Sequence, residues 1–411
     1  MQRVARQVAR DIASASAGAI VAGAALDSDA AAPRGAELVA RVVSLLAGAI
    51  GPEVRTGKAP TTLEAARADA SSAAALVFVK VQVAGGELRV SADVFPIARN
   101  VWDRARNPSP GPAAHGFGSA RIDAEVRSYL APIPLVASET LKAPVPAPAI
   151  QALLCADVDG DDALELVAAS GRDVLLGRFR NKRFDVMRKA AWESFSPIAP
   201  VPWRQALMSM AMSARGGFDL GSTDRAHAVR LDGQLSLQDA FGGFPVPVPG
   251  GAVCAQREIG ELSKELSPCT KQSAPSPWPD IGFAFDGSAA ASVVRADGRV
   301  DGVFAARRVS DSTAVLRDLQ GHTANVPNVG AQLAVADLDL DGEPELLASR
   351  NVLDPSQDAL VVRTWRQDGA VQERWSLPVP QGISAIAPCP PEGPGMRPIA
   401  VATPTELWLI R

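Results

Sequence analysis

The chain has 411 residues, 47% of them hydrophobic and 21% charged, with a formal net charge of -4. That balance is ordinary for a globular protein and offers no basic field for nucleic acid. No apolar run approaches the roughly 18 residues that a membrane-spanning helix needs, so no transmembrane segment is predicted.

The first residues carry two readings. Arg3, Arg6 and Arg10 precede a run of small residues from Ile12 to Ala25, superficially like an export signal. Val4, Val8 and Ile12 recur every fourth residue and Asp11 interrupts the basic stretch, so the spacing predicts an amphipathic helix over 4–14. A strand near 19–25 and a loop over 27–33 follow, and any export signal is expected outside this sequence. Leu38, Val42, Leu45 and Ile50 mark a second helix starting after Gly35, and Thr61 or Thr62 can cap a third that runs to about Ala74. Residues 75–84 and 87–95 alternate on either side of Gly85-Gly86, a hairpin signal. A strand near 115–122 and a short helix at 123–129 complete a small α/β domain over 1–131.

This order of elements, with its Gly-Gly-Glu-Leu-Arg-Val hairpin at 85–90, resembles the amino-terminal domain of TolB and its envelope relatives. The resemblance implies an arrangement, a small α/β domain joined to a propeller, and carries no catalytic motif. A Pro-rich linker over 132–148 (Pro132, Pro134, Pro144, Pro146, Pro148) separates this domain from the remainder, 149–411.

Two acidic loops organise that remainder. Asp157, Asp159, Asp161 and Glu165 occupy positions 1, 3, 5 and 9 of the first, and Asp337, Asp339, Asp341 and Glu345 the same positions of the second. Four carboxylates so close together repel one another, and a hard cation relieves that repulsion. Calcium accepts six to eight oxygen ligands, so the carbonyls of Ala163 and Glu343 are further candidate donors. Zinc would want His or Cys, which neither loop supplies. An EF-hand is excluded: position 12 is Ala168 or Ala348 instead of Glu, and the flanks are short apolar runs that read as strands. The pattern Asp-x-Asp-x-Asp-Gly-x-x-Glu-Leu between strands resembles the calcium loop of FG-GAP/VCBS-type repeats of integrin-like β-propellers. The first copy departs from it, with Gly160 at position 4 and Asp162 where Gly342 stands in the second.

Around these loops, short strands recur four to a unit, the pattern of propeller blades of roughly 45 residues. One unit runs 150–156, 164–169, 174–178 and 184–187, and another 332–336, 345–349, 359–366 and 371–375. The last has only 383–387, 398–402 and 406–410, so a strand near 135–136 is expected to complete it and close the ring. In the middle, Trp203 and the stretches 205–212, 227–231, 281–285, 291–295 and 300–305 suggest strands, with 250–280 as an insertion on one blade. The fold class is therefore mainly β: a propeller of about six blades, five to seven being possible, behind a small α/β domain.

Of the four cysteines, Cys254 and Cys269 flank a polar stretch whose closure would stabilise by about 3 kcal/mol. Cys155 and Cys389 come from the first and last repeats, neighbours in a closed ring. Other connectivities and buried free thiols stay open; pairing would imply an oxidising compartment. Catalytic signals are sparse. His115, His227 and His322 have no metal-like spacing, no Gly-x-Ser-x-Gly elbow is present, and Gly51–Lys58 misses the phosphate-loop spacing. Met208, Met210 and Met212 read as one face of a strand, and the tryptophans as packing between blades or lining a face. The expectation is a monomeric periplasmic or extracellular scaffold with calcium, binding an envelope protein or glycan. The alternative is a calcium-dependent propeller enzyme, a polysaccharide lyase or esterase, with a histidine dyad in an axial pocket.

Overall fold

The computed structural model describes all residues except 99–100, 108–109, 146, 148, 162, 181, 200–205, 214–215, 271–274, 296, 367 and 393–394. It forms two compact units, one chiefly Met1–Ile133, the other Pro134–Val293, Val300–Pro391 and Gly395–Arg411. Trp203, Asp162, Pro146, Pro148 and the start of the strand read at 205–212 lie outside the described residues.

In the first unit, helix α1 (Gln2–Ile12) buries Val4, Ala5, Val8, Ala9 and Ile12 along one stripe, as residues three and four apart share a helix face. Strands β1 (Ala19–Gly23) and β2 (Asp27–Ser28) precede helix α2 (Gly35–Ile50) and strand β3 (Arg55–Thr56). Helix α3 (Leu63–Asp69) starts at Thr62, whose side chain accepts from the Ala65 amide, satisfying one of the orphan donors at a helix start. The long hairpin β4 (Ala75–Ala84) and β5 (Glu87–Pro96), helix α4 (Val101–Arg106), strand β6 (Ala114–Arg121) and helix α5 (Ala124–Arg127) follow. The sheet runs β3-β1-β4-β5-β6, with β2 also pairing β4. Strand β1 is parallel to β3 and β4, whereas β4, β5 and β6 form an antiparallel meander. Helix α1 stops at Ile12 and a tighter turn takes over 13–15, short of the predicted 14.

The second unit is almost wholly strand. Its first sheet holds β8 (Ile150–Ala156), β9 (Glu165–Ser170), β10 (Asp173–Arg180) and β11 (Arg183–Ala191), preceded in the chain by β7 (Thr140–Pro144). The second holds β12 (Met208–Met212), β13 (Phe218–Ser222), β14 (Ala228–Leu231) and β15 (Leu237–Phe241). A longer sheet follows with β16 (Phe244–Val248), β17 (Gly251–Glu258), β18 (Glu261–Ser267), β19 (Phe285–Val294), β20 (Val300–Arg308), β21 (Thr313–Asp318) and β22 (Thr323–Val326). Next come β23 (Val329–Ala336), β24 (Glu345–Arg350), β25 (Ala359–Trp365) and β26 (Val371–Pro378). The last sheet, β27 (Ala385–Pro388), β28 (Ile399–Ala402) and β29 (Glu406–Ile410), is completed by β7.

Strands β8, β12, β16, β19, β23 and β27 all line one axial cavity of about 500 Å³. Strand β8 packs against both β12 and β27, so the first and last sheets are neighbours. Sheets placed radially around an axis in this way make a β-propeller. Between adjacent sheets lie apolar layers; one holds Trp192, Phe218, Leu176 and Leu220, another Val303, Leu316, Leu346 and Trp365. Trp192, Trp365 and Trp408 are buried packing residues.

Three expectations are corrected. The strand that completes the last sheet is 140–144, not 135–136: Ala143 pairs Leu407 and Leu141 pairs Leu409. Pro132 and Pro134 supply no ladder donors and restrict the residues before them, which displaces the pairing downstream. About half of the stretch read as an insertion at 250–280 is regular sheet, β17 and β18. In β17 the buried Val253, Cys254 and Ala255 are consecutive, and in β18 Ser263, Lys264 and Glu265 separate buried Leu262 from Leu266, so neither strand shows a clean alternation in sequence. The strand read at 281–285 begins only at Phe285. In the second unit, strands β13, β15, β16, β21 and β22 were not predicted; β16 carries Pro245 and Pro247, acceptable because it is the first strand of its sheet and pairs on one side only.

All four cysteines are paired, Cys155 with Cys389 and Cys254 with Cys269. The first bridge ties β8 to the segment just after β27, across 234 residues of sequence.

Candidate metal centre

Both acidic loops join the innermost strand of a sheet to the next, β8 to β9 and β23 to β24, and both are built alike. The last carboxylate folds back over the loop: Glu165 Oε2 accepts from the Val158 amide at 2.8 Å, and Glu345 Oε2 from the Leu338 amide at 2.7 Å. The first carboxylate caps the turn. Asp157 Oδ1 accepts from Gly160 and Asp161 amides, and Asp337 from those of Asp341 and Gly342. The amides of Ala163 and Glu343 donate to Asp161 and Asp341, at 2.9 and 2.7 Å. Position 4 is left-handed in both loops, φ +80° at Gly160 and +59° at Leu340, a conformation that Gly enters freely and Leu does not.

The carboxylates converge. In the first loop one oxygen from each of Asp157, Asp159, Asp161 and Glu165 lies within 4.8 Å of the others; in the second, Asp337, Asp339 and Glu345 do so. Asp341 is exposed and stands outside that triad.

What neutralises them differs. Arg178 of β10 reaches into the first loop, its Nε donating to Glu165 Oε1 at 2.8 Å and its Nη2 to Asp161 Oδ2 at 2.6 Å. The same Nη2 also pairs with Glu165 Oε1 and lies 4.0 Å from Asp159 Oδ1, while Arg188 stands 3.9 Å from Asp159 Oδ2. The guanidinium holds the Asp161 carboxyl below its ordinary range, and the carboxylates hold Arg178 firmly protonated.

In the second loop the position across from Glu345 is Thr364, whose hydroxyl donates to Glu345 Oε1 at 2.9 Å. Asp337, Asp339 and Glu345 are buried, and Asp339, 7% exposed, has an oxygen Oδ1 with no hydrogen-bond partner. Burial, then the Asp341 and Asp339 charges, push Asp337 up to about 7. Burial and the Asp341 charge push Asp339 up to about 7, and burial with the Asp339 charge pushes Glu345 well above the usual carboxylate range. Arg397 and Arg374 are the weakest of the influences on Asp337 and Asp339. An orphaned, buried carboxylate oxygen beside two more carboxylates fits a hard divalent cation.

The axial cavity is the other feature that can receive a molecule. Its walls are largely Ala, Ser, Pro, Leu and Met, with Arg397 as the charged residue among the described residues that line it. A second part of about 350 Å³ includes Asp286, which is paired with Arg307. Neither His227 nor His322 is on either lining; His322 Nδ1 instead meets Asp318 Oδ2 at 2.7 Å, at the β21–β22 turn. Arg397 also braces the second loop, its amide donating to Leu338 O at 2.8 Å and its Nε to Cys389 O at 2.9 Å.

Arg178, Thr364 and Arg397 escape a loop-by-loop reading. The signal lies across the sheet: Leu166 pairs Gly177, so Arg178 falls opposite Glu165 as Thr364 falls opposite Glu345.

No family model matches this chain, and no curated protein does. Among solved structures it is similar to a streptogramin B lyase (TM-score 0.34, 8% identity, 66% of this chain and 97% of that one). It is also similar to BBS1N in complex with ARL6DN (0.36, 11%, 79% and 89%) and to the WD40 domain of SCAP from fission yeast (0.24, 9%, 81% and 83%).

Proposed function

We propose that this chain is a non-catalytic binding protein of the cell envelope, whose calcium-stabilised propeller presents a face for a protein or glycan partner. The observation that carries the calcium reading is the buried triad of Asp337, Asp339 and Glu345 with its unpartnered Asp339 oxygen. In this reading the seven-stranded sheet counts as two blades, because β18 and β19 pair only at Leu262 and Phe285, which makes six blades in all. The acidic loops are those of an FG-GAP/VCBS-type repeat, and the first unit is a TolB-like α/β domain.

Arg397 supports a link between ion and binding face, because it lies on the axial cavity and holds the backbone of the ion loop. The ion would fix the loop, and through Arg397 one end of the cavity. Two disulfides are compatible with a periplasmic or extracellular setting. The test is a pull-down from an envelope fraction with calcium and with chelator. Specific capture that needs calcium supports the proposal. Turnover of a polysaccharide or ester by the purified chain would replace it with the enzyme reading.

A further inference from the structure

The two acidic loops share a carboxylate pattern, and that pattern predicts two ions per chain. The residues facing them do not agree with that number. We propose that Arg178 is the permanent counter-ion of the first loop, so that the chain holds one divalent ion, in the second loop, and the residue opposite the loop's final Glu decides which loop takes metal.

A guanidinium suits the first loop because its planar fork meets two carboxylates at once and never deprotonates. Its contacts to Glu165 and Asp161, with Asp159 nearby, use the oxygens a cation would need. An incoming divalent ion would have to displace Arg178 or sit against a positive charge only a few ångströms away. Thr364 presents one neutral hydroxyl at the matching register and leaves an Asp339 oxygen unsatisfied. The first loop is more exposed, with Asp159 and Asp161 at the surface, whereas Asp337, Asp339 and Glu345 are all buried. Charge from within the chain therefore serves where water shares the task, and an ion serves where it does not.

The inference leans on the calcium reading of the second loop only for its reference count. The experiment is a count of calcium ions on the full chain by native mass spectrometry, with calorimetric titration, for wild type, Asp337→Asn and Arg178→Thr. Expected counts are one, none and two. Two ions on the wild type, one on Asp337→Asn, or no gain in Arg178→Thr overturns the proposal. Losing Arg178 removes an ion pair and can unfold the sheet, so the Asp337→Asn count decides the matter when Arg178→Thr does not fold. A wild type without calcium refutes the ion in the second loop, and one ion gained by Arg178→Thr above that baseline still assigns the counter-ion role to Arg178.

Discussion

The loops at 157–165 and 337–345 hold the same carboxylates at the same positions, fold back through the same Glu-to-amide bond and turn through a left-handed residue at the same position, Gly160 in one and Leu340 in the other. They differ in what stands across the next strand, Arg178 in one and Thr364 in the other. Equal local geometry thus coexists with opposite electrostatics. A loop motif places the oxygens, whereas the neighbouring strand supplies or withholds the charge that meets them.

The largest effect expected to test this contrast is metal removal. Chelation should lower the melting temperature of the wild type; at free calcium near 100 times Kd the ion contributes about 2.7 kcal/mol. Asp339→Asn should abolish most of that response, and an unchanged melting curve in chelator would refute the second site. Next is the transplant Thr364→Arg, which should make melting insensitive to calcium by installing the counter-ion of the first loop. Continued calcium dependence in that variant would show that the register position is not decisive. The reverse change, Arg178→Thr, should melt lower in chelator than the wild type and recover on adding calcium, as scanning calorimetry would show. Lack of recovery would mean that the two loops are not interchangeable. The smallest effect is in the turn. Gly160→Ala should destabilise by about 1 kcal/mol, and Leu340→Gly should be neutral or slightly stabilising, since only non-glycine residues are strained there. Urea melts of equal midpoint shift and sign would break that pairing.

The hairpin about Gly85-Gly86, the stripe on α1 and the strands flanking the acidic loops were legible because each is a local pattern: strict alternation, fourfold spacing, carboxylates at fixed intervals. Strands β15 to β18 were not. Pro245 and Pro247 argue against a strand until it is known to be the first of its sheet, and β17 and β18 lack a period-two burial pattern, with charged residues crowding their exposed positions. The completing strand was placed too early for a related reason, since its partner β29 lies at the far end of the chain.

By itself the sequence determined the kinds of strand and turn, the positions of the acidic loops and the oxygen ligands they can offer, because these depend on neighbours within a few residues. Tertiary structure alone decided that β7 completes the last sheet, that Cys155 meets Cys389, and that Arg178 answers one loop while Thr364 leaves the other bare. Those outcomes depend on register and burial, which set distances between groups far apart in the chain and the dielectric in which their charges interact.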